Sequence, residues 1–228
     1  MTEIRYSLRA LALLLGYPHD GLRARLPALI ETIDQEAAVP QSRRAELRAL
    51  ASELARLDPM EVESRYVETF DRGRATSLHL FEHVHGDSRA RGPALVDLAQ
   101  TYEKAGLCLS PDELPDHLCV VLEFASTQPP ELARAFLGEM AHILTAIFSA
   151  LRERNSPYAA VVAAVLELCG QQVQSVAIAT EESLDATWAE PEVFGGCSSA
   201  GQTRPNTPQP IHIVRKSPAP QAPQGVAA

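Results

Sequence analysis

Apolar residues recur at intervals of three and four along most of this chain, the spacing that places them on one face of a helix. Leu47, Leu50, Leu54 and Leu57 form one such stripe, and Leu95, Leu98 and Tyr102 another, each set among Arg, Glu, Asp and Gln. After the start signal Pro129-Pro130, the positions Phe136, Met140, Ile143, Leu144, Ile147, Phe148 and Leu151 predict one helix running from Glu131 to about Asn155, stopped by Asn155-Ser156-Pro157. The next predicted helix covers about 158 to 176. It is apolar nearly all round from Ala159 to Leu168, as a central element would be. Ser110-Pro111-Asp112-Glu113 has capping-box spacing, and Pro115 is placed at the first position of a helix that turns Leu118, Val121, Leu122 and Ala125 inward. No run of alternating β-branched residues predicts a strand, and Ile211-His212-Ile213-Val214 is too isolated to build a sheet. With no repeat at a fixed period, the expected fold is all-α, a single helical bundle.

Composition changes that picture at the C-terminal end. Seven of the 17 prolines fall between Pro191 and Ala228, among Gly, Ser, Gln and Ala, and no acidic residue follows Glu192. Such a segment buries too little apolar surface to offset its ordering entropy. We therefore expect a helical domain over residues 1–180 and a disordered tail over 181–228. Up to Glu192 the chain holds 17 basic and 29 acidic side chains. An acidic body argues against nucleic-acid binding and suits basic partners. Cys108, Cys119, Cys169 and Cys197 include no Cys-x-x-Cys pair and indicate neither a zinc site nor a disulfide framework. The N-terminal run Ala10 to Leu15 follows Arg5 and Arg9 as in a signal peptide. However, Glu3 precedes it and Gly16-Tyr17-Pro18 follows without a small-x-small cleavage pattern, so an amphipathic first helix is preferred. The longest apolar stretch, Tyr158 to Leu166, is half the length of a membrane span. A cytoplasmic location, with no stable membrane association, is the expectation.

Two tracts carry more than bundle filler. Tyr66 to Gly92 concentrates aromatic, ionic and glycine residues, with Gly73 and Gly86 placed to break helices. His79 and His83 at i, i+4, with Glu82 and His85, raise a metal-binding reading, but no fourth ligand stands at a defined spacing and no metal is assigned. The second tract is Leu114-Pro115-Asp116-His117-Leu118. Its Asp-His pair raises an acid/base reading, yet neighbours on a helix diverge by about 100°, and a capping Asp with a partly buried His explains the pair without chemistry. No nucleophile elbow, phosphate-cradling loop or dinucleotide fingerprint occurs, so the chain is read as a binding protein and not an enzyme.

At these tracts the sequence resembles the NarJ family, the assembly chaperones of respiratory nitrate reductase, also described as its delta subunit. The resemblance lies in Tyr-Val-Glu-Thr-Phe-Asp-Arg-Gly-Arg-Ala-Thr-Ser-Leu at 66–78, Leu-Phe-Glu-His-Val-His-Gly-Asp-Ser-Arg at 80–89 and Glu-Leu-Pro-Asp-His-Leu at 113–118. It extends less sharply through Leu14-Leu15-Gly16-Tyr17-Pro18 and the helices up to about Gly170, and departs at His79 and Cys119. It implies a helical bundle of the redox-enzyme maturation type. It also implies binding of the N-terminal segment of the apo catalytic subunit in the cytoplasm while molybdenum cofactor and iron–sulfur clusters are inserted, before membrane docking. Neither cofactor is implied to stay on the chaperone, and a monomer or weak dimer is expected.

By the same resemblance, peptide contact is expected in the 66–92 tract and at Pro115-Asp116-His117, with Asp71, Glu82 and Asp87 as polar contacts and Tyr66, Phe70 and Phe81 chosen as apolar ones, the alternative for these three being ordinary core residues. Glu68, Asp71, Glu82, Asp87 and Asp116 would then form an acidic rim for a basic peptide. Service to another molybdoenzyme, a metal carrier built on the histidines and a hydrolase using Asp116 and His117 are the competing readings.

Overall fold

The structure, a computed structural model, describes residues 3–86 and 88–176. The expected tail, and Asp87 among the expected contact residues, lie outside the described residues. Eleven α-helices and one 3-10 turn make up the described part: α1 (Arg5–Leu15), α2 (Asp20–Arg23), α3 (Leu26–Glu36), α4 (Gln41–Arg56), α5 (Pro59–Phe70), the 3-10 turn Arg74–Thr76, α6 (Leu80–His85), α7 (Arg91–Lys104), α8 (Leu118–Thr127), α9 (Pro130–Glu139), α10 (Ala141–Glu153) and α11 (Ala159–Leu168). Among the described residues there is no strand, as the hydrophobic spacing predicts.

The centre is built from the most apolar helices. In α11 every residue except Glu167 is buried, and the helix packs against α1, α4 and α10. Glu167 takes Arg43 of α4 at 3.0 Å, so the one ionic side chain of α11 is paired. The first helix is a core element: Leu8, Leu11, Leu14 and Leu15 are fully buried, and α1 packs mainly on α8 and α3. Its N-terminal amides at Tyr6 and Ser7 donate to the Glu36 carboxylate at 3.0 and 2.7 Å, so an acidic side chain at the end of α3 caps α1. The predicted stripes are observed: Leu47, Leu50 and Leu54 are buried on α4, and Leu98 and Tyr102 on α7.

Three boundaries differ from expectation. The single helix predicted from 131 to 155 is two helices, α9 and α10, bent by 68° at Met140. There the backbone opens to φ −95°, ψ 3°, and the Met140 amide bonds back three residues to Leu137, tightening the last turn of α9. The periodicity runs through the bend because both helices bury the same kind of stripe. The helix predicted to reach Val176 ends at Leu168. Gly170, at φ +77°, closes it with paired bonds from Gly170 to Glu167 and from Gln171 to Leu166, a Schellman arrangement that satisfies the last carbonyls. Finally, α8 starts at Leu118 and not at Pro115. Ser110 and Glu113 form only a backbone turn, so the capping-box spacing marks a loop. The inward positions of α8 are nevertheless those expected, with Leu118, Val121, Leu122 and Ala125 all buried.

No single helix among the described residues is long and apolar enough to cross a membrane.

Candidate functional site

The two motif tracts meet. After α5 ends at Phe70, Gly73 takes φ 135°, and the chain runs through the 3-10 turn into an extended residue at His79. That residue pairs antiparallel with His117: the Leu118 amide donates to the Leu78 carbonyl at 2.8 Å and the Leu80 amide to the Asp116 carbonyl at 3.0 Å. The His79 and His117 rings stack edge-on with centroids 5.0 Å apart.

Asp116 is the centre of this junction and has no exposed surface. Its carboxylate accepts the Phe81 amide at 3.1 Å and Nδ1–H of His79 at 3.4 Å, and a guanidinium nitrogen of Arg91 lies 3.7 Å away. It thereby caps α6 from 35 residues further along the chain. Burial alone would push this carboxyl up. The hydrogen bonds from His79 and Phe81, with the charges of His79 and Arg91, outweigh burial and hold it below the ordinary carboxylate range.

Around it the network is extended by further pairs. Arg91 bridges to Glu82 at 3.1 Å, and Ser77 donates its hydroxyl to Glu82 at 2.6 Å. His83 donates through Nε2 to the Ser77 carbonyl at 2.9 Å, and Tyr102 donates its hydroxyl to the Pro115 carbonyl at 2.7 Å. The result is a clasp that fastens α6 and α7 to the start of α8.

Several expected contact residues are therefore inside the protein. Asp116 and Pro115 are buried, which corrects the placement of Asp116 on an acidic rim. Tyr66 and Phe70 are also buried. Tyr66 donates its hydroxyl to the Leu15 carbonyl at 2.7 Å, and its ring packs on Phe70, Tyr158 and Tyr17 at 4.8, 5.9 and 5.5 Å. Phe81, Glu82 and His117 are half-buried, and Asp71 is exposed. The three histidines of the metal reading part company: His79 turns to Asp116, His83 to Ser77, and His85 packs edge-on against Phe81 at 5.7 Å.

Asp116 and His117 do not form the acid/base pair that their adjacency suggested. The carboxylate hydrogen-bonds to His79 and Phe81, and burial together with the nearby His79 charge pushes the His117 imidazole down, towards its neutral form. Burial also pushes the thiols of Cys119 and Cys169 up to about 12, so both are protonated near neutral pH and poor nucleophiles. Sequence reasoning placed Tyr102 on a buried helical stripe without tying it to the site, and undervalued His79, whose departure from the family pattern concealed its place in the clasp. It also passed over Tyr17 and Met60, which are 44 % and 79 % exposed despite their size. The Met60, Ser64, Val67 spacing on α5 was the available signal.

The ionisable residues of the two tracts thus fasten helices together. The family described as "Nitrate reductase delta subunit" matches residues 36–164, more than half of the chain. The nitrate reductase molybdenum cofactor assembly chaperone NarJ of Escherichia coli K12 is 38% identical over 190 residues, 79% of this chain and 80% of that one. A probable chaperone of the same description from that organism, NarW, is 35% identical over 196 residues, 82% of each. Among solved structures, a candidate redox enzyme maturation protein from Archaeoglobus fulgidus superposes with a TM-score of 0.56 at 22% identity, covering 75% of this chain and 96% of that one, and so shares the fold. The chain belongs to the nitrate reductase delta subunit family, a family of assembly chaperones and not of enzymes.

Proposed function

We propose that this protein is the dedicated chaperone of a respiratory nitrate reductase. In this reading it binds the N-terminal segment of the apo catalytic subunit in the cytoplasm and holds it receptive while molybdenum cofactor and iron–sulfur clusters are inserted, leaving before membrane docking. The observation that carries the reading is the similarity to NarJ over four-fifths of both chains. The acidic balance of the body supports a basic client segment. Of the residues named from the resemblance, Asp71, Phe81, Glu82 and His117 retain surface and are assigned to client contact. Tyr66, Phe70, Pro115 and Asp116 are assigned to holding that surface in place.

The test is calorimetric titration with a synthetic peptide carrying the N-terminal segment of the cognate catalytic subunit. It is paired with measurement of molybdenum and iron in the reductase purified from cells lacking this protein. Micromolar or tighter binding together with a metal-deficient reductase is the expected result. A fully loaded reductase in the deletion strain would overturn the assembly role, and absence of binding would overturn the choice of client segment.

A further inference from the structure

The clasp turns inward, whereas the outer face of helix α5, which carries the first motif, leaves Met60 in solvent and Val67 half-buried. Met60, Ser64, Val67 and Asp71 follow one another at intervals of one helical turn, so they lie along one side of α5 and its C-cap. Tyr17 stands beside this row. Its ring is held edge-on by the buried Tyr66 at 5.5 Å, and Glu63 lies in the same furrow. Tyr17, Met60, Val67, Glu63, Glu68 and Arg72 line an open furrow of about 340 Å³.

Carboxylates outnumber cations along this face: Glu63, Glu68 and Asp71 against Arg72. Tyr17, Met60 and Val67, rimmed mainly by carboxylates, have the pattern of an interaction surface for a basic partner.

We infer that this face of α5 is the docking surface for an amphipathic helix with basic flanks. Resting on the function proposed above, its occupant is the N-terminal segment of the client. Apolar client residues at i, i+3/i+4 and i+7 lie over Val67, Met60 and the Tyr17 ring, and flanking Arg or Lys residues reach Glu68 and Asp71. Met60 suits such a surface because its unbranched thioether adapts to side chains of different shape. Tyr66 is a positioning residue here, acting through Tyr17 from beneath.

The test uses the full chain and two fluorescent peptides: the client N-terminal segment, and a designed Leu/Lys amphipathic helix unrelated in sequence. Met60→Glu/Val67→Glu should weaken both by about tenfold or more, the loss of one good apolar anchor. Arg72→Ala should tighten both, a gain that a misfolded variant could not show. If the client peptide binds but neither variant changes its affinity, the surface is wrong while the chaperone reading stands. If only the Leu/Lys helix binds, with the predicted dependence on Met60, the surface stands and the client is a different basic segment. Binding of neither peptide overturns the proposal. So does a concentration-dependent dimer abolished by Met60→Glu, because the occupant would then be a second copy.

Discussion

The Phe81 amide donates to the Asp116 carboxylate at 3.1 Å across 35 residues of sequence, and the Leu80 amide donates to the Asp116 main-chain carbonyl at 3.0 Å. One residue thus satisfies two of the N-terminal amides that α6 would otherwise leave without partners. A six-residue helix has little stability of its own, since nucleating a helix costs more than so short a run returns. Its position therefore depends on Asp116. This explains why the two motif tracts are dense in the same chain: each supplies half of one junction.

Replacing Asp116 should consequently damage the fold before it touches any ligand. Asp116→Ala leaves the Phe81 amide, His79 and the Arg91 guanidinium facing a buried void, and the expected loss is about 3–5 kcal/mol. Asp116→Asn keeps an acceptor oxygen and should lose distinctly less. Guanidinium denaturation checks the order. Equal midpoints for wild type and Asp116→Ala would show that the clasp contributes nothing to stability.

Acid should loosen the protein in two steps. His117 and Asp116 both titrate lower in the folded state than in the unfolded chain. For each, the unfolded chain binds the proton first as pH falls, so the stability present above the unfolded value is lost below it. For His117 the loss begins near pH 6.5, and for Asp116 near pH 4, the usual values of the two groups. Thermal midpoints between pH 8 and 5 should be flat above about 6.5 and fall below it. His117→Asn should flatten that fall, and an unchanged slope would remove His117 as its cause.

The bundle was legible because its core helices obey one simple rule, the recurrence of Leu, Ile, Val and Phe at three and four. What the rule does not carry is where a helix bends or stops. The stripe Phe136 to Leu151 is continuous in sequence although the axis turns at Met140, because a bend preserves the burial of both halves. The site was legible as a location and not as an arrangement. Tyr66-Val-Glu-Thr-Phe and Pro-Asp-His announce themselves by composition, but a motif does not say which of its side chains face in. Tyr66, Phe70 and Asp116 do, while Val67, Glu68 and Asp71 keep exposed surface. Long-range pairs such as Tyr102 with Pro115 leave no periodic trace at all.

Gly170 offers a test of how α11 is terminated. Its φ of +77° lies where a Cβ is strained, yet a methyl group there would meet nothing within 4 Å. Gly170→Ala should therefore cost about 1 kcal/mol through backbone strain alone, with Asn costing less because its short polar side chain tolerates this conformation. A cost of several kcal/mol in denaturation would point to a packing clash that the geometry does not contain.

Tyr66 separates structural support from ligand contact. Its hydroxyl reaches the Leu15 carbonyl at 2.7 Å, and its ring touches Tyr17, Phe70 and Tyr158. Tyr66→Phe removes only the hydrogen bond and should cost about 1 kcal/mol of stability, leaving client-peptide affinity unchanged because the ring still supports Tyr17. Tyr66→Ala removes the ring and should cost about 3–5 kcal/mol, with weaker peptide binding in whatever fraction remains folded. Titration of the Tyr66→Phe protein at a temperature where it is fully folded is the discriminating measurement. A large loss of affinity there, with stability intact, would mean that the phenol itself reaches the client, and that the aromatic cluster opens when the peptide binds.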